Sequence, residues 1–448
     1  MKSTISILMI NPWIYDFAAY NVWSEPLGIL YLARLFENSG AIVNVIDCLI
    51  SKQTSLPKQK PDGRSKLFRT IVKKPDVLSF VDRNYAAYGI SIEEFEERLL
   101  ETEKQTGPPD LIFVTSIMTY WYPGTFKVIE LVKKLWKYTP VILGGIYATL
   151  CTEHARKYSG ADLVFRGNSI VSLTNQVNKI LKQELNLPVV KSFNDYPAPA
   201  HEKISGRNFF AILTRKGCPF SCSYCASNIL NPLLEERSPA KVIEEINTFS
   251  RLLNTRNVAF YDDALLLNAE KHFIPIMEGL NNDDLEFHLP NAVHSRFINY
   301  KISNILIEKK FKTIRLGLET SLKSLQEKTG NKVTNREYLN SVESLLKAGF
   351  KKENIGTYIL VGLPGQTPSD VEETIKFVYK SGASPYLSFY SPIPGTPLFK
   401  EAEKLTSLNL AEEPLLHNNT VFILKHPDFS KESIQYLKDM AKELRKSN

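Results

Sequence analysis

Short apolar segments alternate with segments of helical periodicity along almost the whole chain of 448 residues. Near the start, apolar runs at residues 4–10 and 41–47 flank residues 26–37, whose apolar positions recur at the spacing of a helix. Strands that are apolar at nearly every position are buried on both faces, which is typical of parallel sheets covered by helices. The alternation therefore predicts an α/β fold, and the length predicts two or three domains.

The first half reads as a doubly wound, Rossmann-like domain, to which we assign residues 1–190. After the first β-α-β unit, the predicted strands are 110–116, 140–145 and 161–165, and the predicted helices are 125–138 and about 170–181. In sheets of this kind ligands bind outside the carboxyl ends of the strands. We therefore expect any ligand of this domain at the loops that follow its strands.

The second half repeats the alternation six times after a Pro-containing linker at residues 191–206. The predicted strands are 209–214, 257–262, 286–289, 313–318, 355–361 and 386–390, and the predicted helices are 239–253, 269–280, 301–309, 336–348 and 368–381. Six such strands predict a partial (β/α)6 TIM-like barrel over residues 207–400. Barrels of this type carry their chemistry on the loops at the carboxyl ends of the strands. A polar, helical C-terminal region is predicted over residues 401–448.

Three of the five cysteines lie close together, in the spacing C-x3-C-x2-C. Cys218, Cys222 and Cys225 follow the first predicted barrel strand, whereas Cys48 and Cys151 are distant in sequence. Three thiolates on one loop suit a cubane iron–sulfur cluster and leave one iron without a protein ligand. A structural zinc site would require four protein ligands, and no second ligand cluster is present. A disulfide framework does not suit a long chain with five cysteines.

The cysteine stretch resembles the signature of the radical S-adenosylmethionine (SAM) superfamily, C-x3-C-x-aromatic-C, with Tyr224 in the aromatic position. The resemblance implies that Cys218, Cys222 and Cys225 bind a 4Fe–4S cluster whose fourth iron is chelated by SAM. It also implies that an electron from the cluster cleaves SAM to a 5′-deoxyadenosyl radical. Substitution of any of the three cysteines is then expected to abolish the cluster and the activity together.

Residues at the ends of other predicted barrel strands fit the same resemblance. Asp262 and Asp263 follow the second strand, where a carboxylate would accept hydrogen bonds from the ammonium group of SAM. Glu319 and Ser321 resemble the group that contacts the ribose, and Gly362 resembles the glycine beside the adenine. A lone acidic residue is as often a helix cap or an ion-pair partner. The convergence of several such strand ends on one edge favours the functional interpretation.

The first domain, together with the downstream cysteine motif, resembles the cobalamin-binding domain of many radical SAM enzymes. The resemblance implies cobalamin contacts from two loops, with the residues Ser116, Thr119, Tyr120, Gly144, Gly145 and Thr149. Many cobalamin domains carry His-x-x-Gly, whose histidine binds cobalt from below, and this sequence has no such motif. Cobalamin would therefore be bound without a protein histidine as axial ligand. The missing motif also leaves open a domain that has lost cobalamin.

Charge and hydropathy narrow the possible partners and the location. The net charge of +7 is mild, and the densest basic region, residues 51–74, is interpreted as a loop without interleaved aromatic residues. Nucleic-acid binding is therefore not expected. No run of about 18 apolar residues is present, so no membrane span is expected. We expect a cytoplasmic location.

These observations predict a radical SAM enzyme, as a cobalamin-dependent methyltransferase acting on an unactivated carbon of a small-molecule or peptide substrate. An external one-electron reductant is implied. One alternative is an oxidase or cyclase with the same cofactors and no methyl transfer. A tRNA methylthiotransferase is disfavoured, because that group carries three further cysteines in its N-terminal domain. A non-enzymatic corrinoid- or metal-binding protein is the remaining alternative.

Overall fold

The computed structural model describes residues 4–21, 23–51, 65–204, 206–424 and 428–446. Its contacts divide the chain into two compact units. Unit 1 comprises Met1–Asn208 and Glu412–Asn418, and unit 2 comprises Phe209–Ala411 and Asn419–Asn448. The chain thus completes most of unit 2 before it returns to unit 1 for seven residues. The domain boundaries given above remain a prediction.

Unit 1 is built on a five-stranded parallel sheet, in the order β10-β9-β8-β1-β4. Its strands are β1 (Ser6–Asn11), β2 (Ile14–Asp16), β3 (Tyr20–Asn21), β4 (Ile42–Asp47), β5 (Ser65–Lys66), β6 (Arg69–Ile71), β7 (Ala86–Tyr88), β8 (Leu111–Val114), β9 (Val141–Leu143) and β10 (Leu163–Val164). Its helices are α1 (Leu27–Asn38), α2 (Ile92–Thr106), α3 (Tyr122–Leu135), α4 (Ile146–Leu150), α5 (Thr152–Tyr158) and α6 (Ile170–Leu181). The chain leaves β1 in one direction for β4 and then returns to β8 on the other side. This reversal places a topological switch point between β1 and β8.

Both faces of the unit 1 sheet are covered, as the continuous apolar strands predicted. Ile7 and Met9 of β1 pack into a core with residues of α1 and α6. Leu8 and Ile10, one position along, pack into a second core with residues of α2 and α3. Alternate residues of a strand point to opposite faces, so a strand flanked by two helical layers is apolar throughout. The doubly wound domain predicted from the sequence is confirmed.

Unit 2 contains a six-stranded parallel sheet, in the order β11-β14-β15-β16-β17-β18, which is the predicted open barrel. Its strands are β11 (Phe209–Ile212), β12 (Arg215–Lys216), β13 (Glu235–Glu236), β14 (Asn257–Phe260), β15 (Glu286–His288), β16 (Phe311–Glu319), β17 (Ile355–Val361) and β18 (Ser384–Phe389). Its helices are α7 (Ser227–Leu230), α8 (Pro239–Leu252), α9 (Phe273–Gly279), α10 (Tyr300–Glu308), α11 (Lys323–Lys328), α12 (Asn335–Lys347), α13 (Pro368–Ser381), α14 (Phe399–Lys404) and α15 (Lys431–Lys446). Strand order follows chain order, apart from the short hairpin of β12 and β13.

Local chemistry explains where elements differ from the sequence prediction. Helix α2, which the sequence pattern did not reveal, begins after Ser91, whose side chain accepts a hydrogen bond from the backbone N–H of Glu94. Helix α3 begins three residues earlier than predicted, with Pro123 in its first turn, where the missing N–H costs nothing. Part of the basic region interpreted as a loop forms the strands β5 and β6, and residues 52–64 lie outside the described residues.

The last helix covers the open edge of the barrel. Helix α15 packs on α13 and on the edge strand β18. Arg445 donates a hydrogen bond to the carbonyl of Pro385 at 2.5 Å and lies over the ring of Tyr386. An uncovered edge strand would expose unpaired backbone groups to other chains. The predicted helical C-terminal region is therefore confirmed. Within the described ranges, no helix has both the length and the apolar character needed to cross a membrane.

Candidate active site

The cysteine loop of unit 2 is closed at its base by the β12–β13 hairpin. Arg215 pairs with Glu236 across the hairpin, and its buried guanidinium also donates to the carboxylate of Glu236 at 2.5 Å. A second hydrogen bond, of 2.9 Å, runs from Arg215 to the carbonyl of Ala264. This arginine thus joins the hairpin to the loop that follows β14. The ends of the cysteine loop are fixed independently of any cofactor.

The three thiols lie within electrostatic range of one another. Cys222 is buried, Cys218 is half-buried and Cys225 is exposed. The pKa of Cys218 is raised to about 11, chiefly by burial and to a smaller extent by Asp263 and the other two cysteines, against a backbone hydrogen bond at Phe220 that lowers it. Burial also raises the pKa of Cys222, and the nearby ammonium group of Lys332 partly offsets this rise by lowering it. A bound cation is needed to hold such thiols as thiolates.

These residues fit an iron–sulfur cluster better than a single metal ion. Among the described residues, no three Cys, His, Asp or Glu side chains converge on one point that could hold one ion. A cubane cluster does not require this convergence, because each thiolate binds a different iron. The 3.5 Å contact between Cys218 Sγ and His294 Nε2 places a ring nitrogen beside the first thiol. Burial lowers the pKa of His294 to about 3, so this ring is neutral beside the loop.

Tyr224, the aromatic residue of the motif, connects the cysteine loop to the end of β16. Its hydroxyl donates a hydrogen bond to Glu319 Oε1 at 3.2 Å. The ammonium group of Lys332 donates to the same oxygen at 2.5 Å, and it lies 5.7 Å from the centre of the Tyr224 ring. The sequence-predicted pair of Tyr224 and Glu319 is therefore brought together. Lys332 joins them as a third member.

An irregular backbone at Glu319 sets the direction of its carboxylate. Glu319 has a φ of 66°, in the left-handed region that residues with a side chain seldom adopt. The register of β16 against β17 shifts between Gly317 and Glu319, as it does at a β-bulge. Bulges near active sites re-aim a side chain out of the regular alternation. Backbone strain of this kind is typical of functional positions.

Sequence reasoning missed Lys332, the cation of this group. Its side chain is 13% exposed and forms an ion pair with Glu319. Burial alone would lower the pKa of Lys332, but the carboxylate of Glu319 and the thiols of Cys222 and Cys225 together raise it. Lys332 thus stays charged beside the cysteine loop. Its only sequence signal is its position 13 residues after Glu319, beyond α11, which no local motif reveals.

The two aspartates after β14 have different surroundings. Asp262 is buried, and its Oδ1 accepts hydrogen bonds from the backbone N–H and the hydroxyl of Thr214, at 3.1 and 2.6 Å. Burial raises the pKa of Asp262 to about 6 against these hydrogen bonds. Asp263 lies near Cys218 and hydrogen-bonds to Ser227, two residues after Cys225. Of the pair, Asp263 is therefore the one brought to the cysteine loop.

Ser321 and Gly362 are held by contacts within the barrel wall. The backbone N–H and the hydroxyl of Ser321 both lie 3.1 Å from the hydroxyl oxygen of Thr374 on α13. Gly362 has a φ of +85°, and a Cβ at this position would lie 2.4 Å from the Phe422 ring. The hydroxyl of Ser321 thus contacts Thr374 of α13, and the ring of Phe422 lies beside Gly362. Phe422 is a second residue that no sequence motif reveals.

In unit 1, four of the six residues predicted for cobalamin meet at the ends of β8 and β9. The hydroxyl of Ser116 donates to the carbonyl of Gly144 at 2.8 Å. Gly145 has a φ of +96°, and a Cβ there would lie 2.5 Å from the Ser116 carbonyl oxygen. Thr149 donates to the carbonyl of Gly145 at 2.8 Å. Only glycine allows the two loops to approach this closely.

The other two predicted residues lie on the same loop but are engaged within unit 1. Thr119 is 2% exposed, and its hydroxyl oxygen lies 3.1 Å from Nδ1 of His417. Tyr120 is equally buried. Both belong to the short 3-10 helix Thr119–Trp121, just before α3. The contact of these two residues with cobalamin stays a prediction.

The crevice at the switch point between β1 and β8 is small. Its cavity of about 10 Å³ is lined by the loop after β1 and by residues including Ser116 and Trp121. Such a volume holds about one water molecule. A side chain at Gly144, by contrast, would meet no heavy atom within 4 Å. The crevice therefore has no room for a ligand larger than about one water molecule, whereas the turn at Gly144 faces open space.

A large part of the barrel matches a known protein family. Residues 212–378 match the sequence family described as the radical SAM superfamily. The match begins at the end of β11, includes the cysteine loop and the Glu319 bulge, and ends within α13. The three cysteines, Glu319 and Lys332 therefore lie within the matched segment, whereas the loops of unit 1 and Phe422 lie outside it.

Two curated relatives cover larger parts of the chain. An uncharacterized methyltransferase of Pyrococcus horikoshii is 25% identical over 324 residues, which are 66% of this chain and 69% of the relative. A tRNA-2-methylthio-N(6)-dimethylallyladenosine synthase of Clostridium novyi is 26% identical over 354 residues, 75% of this chain and 72% of the relative. Both are distant relatives.

A solved structure shares the fold over nearly the whole chain. The radical SAM methyltransferase TsrM from Kitasatospora setae, solved with cobalamin and a 4Fe–4S cluster bound, superposes with a TM-score of 0.63 at 15% identity. The superposition covers 90% of this chain and 78% of TsrM. At this identity the likeness shows the fold alone.

Proposed function

We propose that this chain, whose residues 212–378 match the radical SAM superfamily, cleaves SAM at a 4Fe–4S cluster bound by Cys218, Cys222 and Cys225. One observation supports this most strongly. The cysteine loop follows the first barrel strand, and its Tyr224 contacts the carboxylate at the end of the fourth. The loop and the carboxylate thus belong to the same edge of the barrel, where such folds bind substrate.

In the proposed enzyme the chain supplies binding and orientation. When bound, the cluster supplies the electron that cleaves SAM, and cobalamin carries the methyl group. Asp263, beside Cys218, offers a carboxylate to the ammonium group of SAM. Glu319 offers a carboxylate to the ribose hydroxyls, and its ion pair with Lys332 holds that carboxylate in place. The hydroxyl of Tyr224 further restricts its orientation.

We propose further that the enzyme is a cobalamin-dependent methyltransferase. Two comparisons support methyl transfer: one relative is described as a methyltransferase, and TsrM, which shares the fold, is a methyltransferase solved with cobalamin. The close loops of Ser116 and Gly145 in unit 1, with the open Gly144 side, support cobalamin binding. No His-x-x-Gly motif is present to supply an axial histidine. We propose an unactivated carbon of a small molecule or peptide as the acceptor.

Two other activities compete with methyl transfer. One is supported by a relative, and the other uses the same cofactors. A methylthiotransferase is suggested by the Clostridium novyi relative. The second cluster expected for that group requires three further cysteines, and the chain has only the buried Cys48 and the half-buried Cys151 outside the triplet. An oxidase or cyclase with the same cofactors differs only in the fate of the substrate radical. An experiment that separates these activities must therefore follow the methyl group of SAM.

The test is anaerobic purification of the full chain with hydroxocobalamin supplied, followed by reduction and incubation with methyl-deuterated SAM. Iron content, the absorption spectrum, 5′-deoxyadenosine and deuterium in candidate products are measured together. We expect an absorbing iron–sulfur cluster, bound corrinoid and 5′-deoxyadenosine. Label in a product supports methyl transfer. The variant Cys222→Ala is the negative control, and Cys151→Ala is its matched control outside the triplet.

The outcomes separate the candidates. 5′-Deoxyadenosine with bound cobalamin and no label transferred would identify an oxidase or cyclase. Sulfur incorporated into tRNA would identify a methylthiotransferase. Cobalamin binding without any SAM cleavage would overturn the enzymatic proposal and favour a corrinoid-binding protein. An external one-electron reductant and a cytoplasmic location remain part of the proposal.

A further inference from the structure

We infer that residues 412–418, which we call the strap, position the two loops that flank the switch-point crevice of unit 1. The strap belongs to unit 1, although more than 200 residues of chain separate it from the rest of that unit. It includes the 3-10 helix Pro414–His417. The relevance of the strap to cobalamin rests on the function proposed above, whereas its effect on the loops does not.

The strap is buried more thoroughly than a surface connection. Leu415, Leu416, His417 and Asn418 are each 2% exposed or less. The carboxylate of Glu413 accepts a hydrogen bond from the backbone N–H of Leu415 and thereby caps the strap's short helix. A connection on the surface would leave most of these side chains in water. The strap is therefore an integral part of unit 1.

Each of the two loops is bound by one residue of the strap. Asn418 donates to Asp16 Oδ1 at 2.9 Å, and Asp16 ends β2, directly beyond the loop after β1. His417 Nδ1 lies 3.1 Å from the hydroxyl oxygen of Thr119, in the loop after β8. The second carboxylate oxygen of Asp16 accepts from the indole of Trp121 at 2.9 Å, which joins the two loops. Adjacent strap residues thus fix both sides of the crevice.

A third contact connects the strap to α3. Tyr122, the first residue of α3, donates to the carboxylate of Glu413 at 3.0 Å. Its ring stacks on Tyr147 of α4, with the ring centres 5.5 Å apart. Helix α4 follows the Gly144–Gly145 turn directly. The strap is therefore connected to every loop that we propose to contact cobalamin. We assign His417 and Asn418 as positioning residues, which act through Thr119 and Asp16.

The inference is tested with variants of the contact between His417 and Thr119 in the full chain. Thr119→Val removes the hydroxyl and keeps the shape, whereas Thr119→Ser keeps the hydroxyl. His417→Ala removes the other partner. Thr102→Val is the matched control, because the Thr102 hydroxyl donates to a backbone carbonyl inside α2 and is likewise buried. Hydrogen exchange of the peptide covering residues 116–122 and the dissociation constant of hydroxocobalamin are measured for each.

We expect faster exchange at residues 116–122 and roughly tenfold weaker hydroxocobalamin binding in Thr119→Val and His417→Ala, the effect of losing one buried hydrogen bond. Thr119→Ser should restore both readouts, and Thr102→Val should leave both unchanged. Unaltered exchange in both disruptive variants would overturn the inference. Faster exchange with unaltered hydroxocobalamin binding would support the positioning of the loops and overturn its relevance to cobalamin. If wild-type protein binds no hydroxocobalamin while the variants exchange faster, the positioning of the loops stands and the proposal of cobalamin falls.

Discussion

Lys332 and Glu319 form an ion pair of 2.5 Å in which neither side chain is more than 13% exposed. The pair lies beside the cysteine loop, and Tyr224 of that loop donates to the same carboxylate oxygen. A buried ion pair adds little net stability, but the loss of one partner leaves an uncompensated charge. The stability of unit 2 should therefore be sensitive to the loss of either partner.

Lys332→Met should lower the free energy of unfolding by about 3 kcal/mol, because Glu319 would stay buried without its cation. Denaturant unfolding monitored by circular dichroism measures this. Lys323→Met is the matched control, since the ion pair of Lys323 with Glu327 is exposed and should be worth less than about 1 kcal/mol. Equal losses in the two variants would contradict the assignment of Lys332 as a buried partner.

Single substitutions of Cys218, Cys222 and Cys225 by alanine should each remove the bound iron and leave the fold intact. The physical reason is that a cubane held by three thiolates loses a ligand with each substitution. Iron analysis and absorption spectra of anaerobically reconstituted protein measure the effect, with circular dichroism as the check on folding. Cys151→Ala should retain about four irons per chain. An iron content that Cys151→Ala lowers and Cys225→Ala does not would refute this ligand set.

Gly362→Ala should destabilise the protein more than Gly349→Ala does. Both glycines have positive φ, so each substitution costs about 1 kcal/mol of backbone strain. Only at Gly362 would the new Cβ lie 2.4 Å from the Phe422 ring, whereas Gly349 has open space. We expect a further loss of 1–3 kcal/mol at Gly362, typical of overpacking.

A double variant identifies the source of that further loss. Adding Phe422→Ala to Gly362→Ala should recover part of it, because the space taken by the ring becomes free. Urea unfolding of the two single variants and the double variant gives the three free energies required. If Phe422→Ala and Gly362→Ala are simply additive, the close approach is not the cause.

His154 should make unit 1 less stable as the pH falls. Burial lowers the pKa of its imidazole to about 4, whereas the unfolded value is near 6.5. Between these values the unfolded state binds more protons, so the stabilisation present above pH 6.5 is lost as the pH falls towards 4. His154→Asn, which can still accept from Tyr147 at the position of Nδ1, should show a weaker pH dependence than wild type.

Unfolding free energies at pH 7.5, 5.5 and 4.5 measure this effect. Val177→Ala serves as the control, because it destabilises a core of unit 1 without removing a titratable group. Its difference from wild type should be constant over the three pH values, and that of His154→Asn should shrink. A constant difference for His154→Asn would show that the imidazole titrates alike in the folded and unfolded states.

The sequence predicted those features that depend on local pattern. Continuous apolar strands such as Ser6–Asn11 indicated burial on both faces, and the cysteine spacing indicated a cluster without any knowledge of the fold. The approach of Ser116 to Gly145 followed from the rule that parallel strands end at one edge of a sheet. These inferences needed either neighbouring residues or a general topological rule.

Features that depend on long-range packing were not predictable in this way. Lys332 acts beside Tyr224, which is more than 100 residues earlier, and only the turn after α11 brings them together. His417 reaches Thr119 across almost 300 residues. The carboxylate of Asp262 is engaged by Thr214 on the neighbouring strand end, which no spacing within the Asp-Asp pair reveals. Such contacts are set by the tertiary fold, and a single sequence does not display them.

The division of unit 1 into two stretches of chain has a consequence for synthesis on the ribosome. Met1–Asn208 emerge first, and the whole of Phe209–Ala411 must follow before the strap is available. Domains generally fold as units in the order in which they are made. Here the buried side chains of Leu416 and His417 complete unit 1 only after Phe209–Ala411 have been made. A nascent chain therefore acquires its cysteine loop before the N-terminal unit is whole.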